Sequence, residues 1–197
     1  MSEKIKEIID EIEALKNKLA EELDAKQNDF AYEIKNGYVH FEKEVLAKQK
    51  LYMKDLLTYF SEIPPIQLLI APLVYGMILP AIVFDMMLFV YQQVVFRIYK
   101  FEFVKRSDYI VFDRNYLAYL NIIEKINCMY CSYFNGLMQY ASRIAAQTER
   151  YFCPIKHAKK IAYSHDFYQD FFTYGDGVDY QKKLSRIREE MQEKKPS

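Results

Sequence analysis

The sequence has no tryptophan, and only 5 glycines and 6 prolines among its 197 residues. So few turn formers disfavour a β-rich architecture, which draws heavily on Gly and Pro, and favour long helices. Three cysteines are too few, and odd in number, for a secreted disulfide scaffold. Neither charge is in excess: 27 Lys and Arg balance 27 Asp and Glu, and the pI is about 6.8. A general nucleic-acid binder would carry a basic surplus, so no nucleic-acid partner is expected. Walker, dinucleotide-binding and G-x-S-x-G sequences are all missing, which weighs against an enzyme. The first 29 residues alternate charged and aliphatic side chains and lack the apolar run of an export signal. A reducing compartment is therefore expected, with the cysteines as thiols or metal ligands.

What is present is apolar and aromatic: 51% hydrophobic residues, with 18 Tyr and 14 Phe. An all-α fold with a sizeable core is the expectation. Residues 1–62 carry 10 Lys against 14 Asp or Glu, a net of −4. Ile5, Ile8, Ile12, Leu15 and Leu19 recur at steps of three and four, the stripe of an amphipathic helix. The stripe resumes with Phe30, Ile34, Tyr38 and Phe41, and Gly37 is the one break expected in a single long helix or two stacked ones. Such a stripe either packs on its own domain or forms a coiled-coil arm that pairs with a second copy. The narrow seam and the Lys- and Glu-rich remainder favour self-association through residues 1–60.

Residues 63–96 form a membrane-inserted segment in this reading. From Ile63 to Phe84 no charge occurs, and Asp85 is the only one before Arg97. Such a run meets the length criterion for a membrane helix. Pro64, Pro65, Pro72 and Pro80 interrupt it. Lys43, Lys48, Lys50 and Lys54 precede it as Arg97, Lys100, Lys105 and Arg106 follow it. A single span should show more Lys and Arg on one side than the other. The even flanks instead suggest a re-entrant hairpin turning near Pro80, both ends facing anionic headgroups in the cytoplasm; a single span over Ile66–Phe84 is the competitor. Asp85 would be costly in lipid unless paired or hydrated.

Residues 97–174 read as a helical Cys/His domain, followed by a charged tail over 175–197. Helices are expected over Tyr116–Tyr133, Gly136–Tyr151 and Ile155–Thr173, punctuated by Asn135-Gly136 and Cys153-Pro154. A short strand at Tyr109–Phe112 is a further expectation. Cys128, Cys131, Cys153 and His157 follow the spacing C-x2-C-x21-C-x3-H. On an antiparallel helical hairpin the two pairs could converge on a tetrahedral ion, a Cys3His zinc set, with iron as the alternative. Arg143 and Glu149 are candidates for an outer shell around that metal. Buried apolar cysteines and a redox CxxC are the competing readings, although Cys128 falls late in a helix, where a thiol is not activated. His165, Asp166 and Asp170 also have ligand-like spacing, but a solvated helix face suits them better.

The strings NCMYCSYFNG (Asn127–Gly136) and RIAAQTERYFCPIKHA (Arg143–Ala158), after a proline-interrupted apolar stretch, resemble a family of bacterial membrane-associated proteins with no assigned reaction. The resemblance covers roughly residues 64–174. It implies a bacterial origin and an inner-membrane location, not a mechanism. Two functions follow as expectations. The first is a membrane-associated scaffold or interaction protein with a structural metal knuckle. The second is a membrane redox or metalloenzyme acting on a lipid or quinone-like substrate.

Overall fold

Long stretches of helix formers between rare glycines give a mostly helical chain in the computed structural model, which describes residues 3–28, 32–35, 38–177 and 179–193. The all-α class holds. Helix α1 (Glu3–Asn28) leads to an antiparallel hairpin of β1 (Tyr32–Lys35) and β2 (Tyr38–Phe41), in register Lys35 to Tyr38 and Tyr32 to Phe41. The expectation of helix throughout 1–62 fails here. Tyr32-Glu-Ile-Lys alternates with period two, and Asn-Gly between such runs is a strong hairpin signal. The break expected at Gly37 lies outside the described residues. Two short helices follow, α2 (Lys43–Lys50) and α3 (Leu56–Glu62).

The apolar run then forms a rod of α4 (Pro65–Gly76), α5 (Ile78–Tyr91), a five-residue π-helical turn (Gln92–Phe96) and α6 (Arg97–Tyr99). The 35 residues of the rod span about 52 Å. No reversal occurs at Pro80, so the re-entrant hairpin is not the structure formed. Pro80 sits in the first turn of α5, where its missing N–H would have no intrahelical partner in any case. The rod stops at Lys100, which adopts φ +57 and ψ 40 while the Phe101 N–H donates to the Phe96 carbonyl at 2.9 Å. That is a Schellman-type closure.

Helix α7 (Ile122–Phe152) is one uninterrupted helix of 31 residues. Its start is set by a capping box: the Asn121 side chain accepts from the Ile123 and Glu124 N–H groups at 3.0 Å, and Glu124 accepts from the Asn121 N–H at 2.9 Å. The break expected at Asn135-Gly136 is absent. Gly136 is buried within α7, and a Cβ there would lie 2.4 Å from the Tyr109 carbonyl oxygen. Here the glycine permits a close crossing rather than a turn. The helix ends at Cys153, whose N–H donates to the Glu149 carbonyl at 2.8 Å, with Pro154 buried just beyond.

The rod and α7 run in the same direction. Tyr130 donates to the Val74 carbonyl at 2.8 Å, Tyr133 to Asp85 at 3.0 Å, and Tyr91 bonds Thr148 at 2.9 Å, so partner numbers rise together. Parallel neighbours need a long return, supplied by residues 100–121 with short 3-10 turns at Arg106–Asp108 and Asp113–Tyr116. These turns flank the segment expected as a strand, Tyr109–Phe112. The core gathers where return segment, rod and α7 meet: Phe96, Phe101, Val104, Ile110, Leu137 and Ile144 are buried. Phe96 and Phe101 meet edge to face at 5.2 Å, and Tyr99 packs on Tyr151 at 5.2 Å. Such aromatic pairs add about 0.5–1.5 kcal/mol each beyond area burial.

Beyond α7 the helix expected over Ile155–Thr173 is replaced by irregular chain. A parallel bridge joins Ile155 to Phe172, and a 3-10 turn spans Asp166–Asp170. The charged tail forms α8 (Tyr180–Glu193), docked by buried Leu184 and Met191.

Candidate functional site

Along the rod, burial divides residues that composition does not. Ala81, Asp85, Leu88, Gln92 and Phe96 fall at steps of three and four and face the protein; Ala81, Gln92 and Phe96 are buried. Leu79, Val83, Met86, Val90 and Val94 occupy the opposite side and are all exposed. In the rod's most apolar stretch only 6% of residues are buried. This one helix, Pro65–Tyr99, is long and apolar enough to cross a membrane. It presents bare hydrocarbon on one face and a polar seam on the other.

Asp85 belongs to that seam. Arg106 of the return segment grips its carboxylate with two nitrogens, Nη2 at 2.6 Å from Oδ2 and Nε at 3.1 Å from Oδ1. The Tyr133 hydroxyl donates to the same Oδ2 at 3.0 Å, and the Arg106 guanidinium lies 5.9 Å from the Tyr133 ring. The hydrogen bond to Asp85 raises the Arg106 pKa above its ordinary value. Burial first, and then the bond to Asp85, raises that of Tyr133. Two turns further on, Gln92 receives the Val104 N–H at 3.3 Å and donates to its carbonyl at 3.1 Å. These two side chains dock the return segment, since an extended backbone beside an apolar helix needs its polar groups satisfied. The sequence carries the signal: Asp85 and Gln92 stand seven apart on one helical face, in a run whose other amide side chains are Gln67 and Gln93. Arg106 and Tyr133 carried no such signal.

The four expected metal ligands do not meet. Cys128 and Cys131 share a face in the second and third turns of α7, not late in a helix as expected, because the capping box starts α7 at Ile122. They are half-buried and exposed respectively, while Cys153 caps the same helix, exposed. Twenty-two residues of continuous helix put Cys131 about 33 Å from Cys153 along the axis. His157 is exposed beyond that end; its N–H bonds the Tyr168 hydroxyl at 2.7 Å, and its ring stacks on Tyr168 at 6.3 Å. Among the described residues no group of three or more His, Cys, Asp or Glu could hold a metal ion. The donor set does not fit zinc or iron, because the hairpin that would have folded it together is a straight helix.

Arg143 and Glu149 serve a different neighbourhood from the one expected. Glu149 bonds His165 Nε2 at 2.9 Å, and Arg143 reaches Asp166 at 3.3 Å. His165 is mostly buried rather than on a solvated helix face, and its Nδ1 has no partner among the described residues. Phe167 lies under both Arg143 and Arg150, at 4.3 and 4.8 Å from its ring centre. The motif Arg143–Ala158 thus seats the 165–168 turn on the end of α7. A cavity of about 540 Å³ opens between β2, the return segment and α7, lined by Asp113, Arg114, Cys131 and Asn135 among others.

Compared with known proteins, the chain matches no family model, no curated protein and no solved structure. Its assignment therefore rests on this geometry.

Proposed function

We propose that the protein is a membrane-associated interaction protein. The rod lies along the bilayer surface with its bare face in the hydrocarbon. The observation that carries this reading is the division of the rod: Asp85 is engaged by Arg106, while Leu79, Val83, Met86, Val90 and Val94 stay uncovered. Insertion along the plane suits the packing better than a crosswise span. The return segment lies beside the rod, so a span would drag Asp108, Asp113 and Arg114 into lipid at several kcal/mol each. An amphipathic surface with basic flanks binds anionic leaflets by buried area plus charge attraction. Lys48 and Lys50 before the rod, with Lys100 at its far end, provide that attraction. The cytoplasmic face of a bacterial inner membrane, which the motif resemblance implies, is the proposed location.

Helix α1 is the interaction arm of this reading. Ile8, Ile12, Leu15 and Leu19 are all exposed, whereas Ile9, off the stripe, lines a cleft with the 168–173 segment. A free stripe of this spacing suits pairing with a second copy. A redox or metalloenzyme has no support from the cysteines and histidine, which are dispersed.

Flotation with vesicles tests the membrane reading. Wild type should float with anionic vesicles, and Leu79→Glu with Phe89→Glu should remain at the bottom. Proteolysis should cleave residues 43–54 and 100–116 from the same side of sealed vesicles. Cleavage from opposite sides would overturn the in-plane arrangement. Leu15→Glu should lower the mass measured by light scattering; an unchanged mass removes α1 as the self-association surface.

A further inference from the structure

The cleft between the end of α7 and α8 uses neither the bare face of the rod nor the stripe of α1. It has a volume of about 470 Å³ and is lined by Arg143, Gln147, Arg150, Phe167 and a rim that includes Glu102 and Glu193. Arg143, Gln147 and Arg150 fall at steps of four and three, so one face of α7 presents all three. Gln147 is 5% exposed and lines the cavity, where its amide reaches the solvent-filled space. An amide on a cavity wall, with both donors and an acceptor, can exchange water for the polar groups of a ligand.

The two guanidiniums are positioned by the Phe167 ring but are barely neutralised. Arg143 makes one 3.3 Å contact with a carboxylate that is 88% exposed, and Arg150 has no carboxylate partner among the described residues. Guanidiniums prefer planar, two-point binding of phosphate or carboxylate, and ring stacking spares them the entropy of being held in place. Carboxylates of the return segment and α8 also line the cleft, Glu102, Glu190 and Glu193, with Glu190 engaged by Arg186 at 2.9 Å. An anion alone would meet repulsion there, and a cation alone would be repelled by the arginines.

We propose that this cleft binds a small zwitterion carrying a phosphate and an amine, of the phosphoethanolamine class. The phosphate accepts hydrogen bonds from Arg143 and Arg150, the Gln147 amide exchanges water for the ligand, and the amine faces Glu102 and Glu193. The cavity lies within the size range of small-molecule sites. Free phosphoethanolamine and the headgroup of a phospholipid share this chemistry.

Calorimetric titration of the full chain in detergent, with phosphoethanolamine, inorganic phosphate and ethanolamine as probes, tests the assignment. Phosphoethanolamine should bind about tenfold or more tighter than either half alone, since each charged contact contributes independently. Arg150→Gln and Gln147→Met should each weaken it by about tenfold, the cost of losing a hydrogen bond to a charged group. Glu102→Gln should weaken phosphoethanolamine and leave phosphate unchanged. Equal affinity for phosphate, no saturable binding, or unchanged binding by variants that melt like wild type would each overturn the proposal. If a variant melts early, the melting temperature of wild type decides. A rise with saturating phosphoethanolamine supports the site, and no rise overturns it. With Phe89→Glu as background, recruitment to phosphatidylethanolamine vesicles that depends on Arg150 assigns the lipid headgroup. Soluble binding without recruitment assigns the free molecule. Because the soluble probes need no bilayer, failure here is separable from failure of the membrane reading.

Discussion

Replacing Gly136 with alanine would place a methyl carbon 2.4 Å from the Tyr109 carbonyl oxygen and 2.9 Å from the Ile110 α-carbon. Both are backbone atoms, so no side chain can swing aside, and the crossing of return segment and α7 must open by roughly 1 Å to reach ordinary contact. Overpacking of this kind costs about 1–3 kcal/mol, and a backbone obstacle puts it at the upper end. Alanine recovers about 1 kcal/mol of helix propensity within α7. The expected net loss is therefore about 2 kcal/mol, a drop of about 4–8 °C in melting temperature for a chain of this size. Gly76→Ala is the internal control. It ends α4 with nothing within 4 Å of its Cβ, so the same substitution should leave melting unchanged or raise it. Thermal melts followed by circular dichroism in one detergent would compare the pair. Gly136→Ala melting at or above wild type would refute the crossing, and with it the seating of the return segment on α7.

Three further outcomes follow from the same geometry. A double-mutant cycle on Asp85→Asn and Arg106→Gln should give a coupling of about 1–2 kcal/mol, between the exposed and buried limits for ion pairs. That range reflects an Asp85 side chain 15% exposed against 46% for Arg106; additive losses would mean the pair is not formed. A bismaleimide about 10 Å long should fail to join Cys131 to Cys153 within one chain, given their separation along α7, and chelators should leave the melt of the protein unchanged. An intrachain cross-link or a chelator-induced loss would restore the metal knuckle. Tyr133, whose pKa burial and Asp85 raise, favours folding while its phenol is neutral. Its contribution is complete below about pH 10, the ordinary phenol value, and fades above it. Melting of Tyr133→Phe should therefore depend less steeply on pH above about 10 than wild type; identical slopes there would remove Tyr133 as a source of alkaline sensitivity.

Some of the fold is legible because its causes are local. The α1 stripe predicts an amphipathic helix, and Glu3–Asn28 is one. The charge-free run suggests a hairpin at Pro80 or a single helix over Ile66–Phe84, and the rod contains the second of these. Asn121-Ile-Ile-Glu124 is a capping box written into four consecutive residues, although Tyr116 was expected to lie within the helix. The pairing of β1 with β2 also has its signal, period-two alternation on either side of Asn-Gly, which overlaps the three-and-four stripe of Phe30, Ile34, Tyr38 and Phe41. The candidate metal site was misread for one reason. Asn135-Gly136 carries the composition of a turn, and the same pair is tolerated inside a helix where another backbone crosses closely.

Sequence alone determined that this chain is mostly helical, that residues 63–96 carry no charge but Asp85, and that Asp85 needs a partner. Those properties depend on helix propensity, side-chain period and the cost of an unpaired carboxylate, each acting within a few residues or on one side chain. Tertiary structure decided the rest. It turned Asp85 and Gln92 inward and Leu79 and Val94 outward, carried Arg106 back to Asp85, and kept the cysteine pair of α7 far from Cys153. Each of those outcomes depends on where the return segment packs against the rod and α7. The position of that packing rests on Gly136, a residue whose contribution is the absence of a side chain.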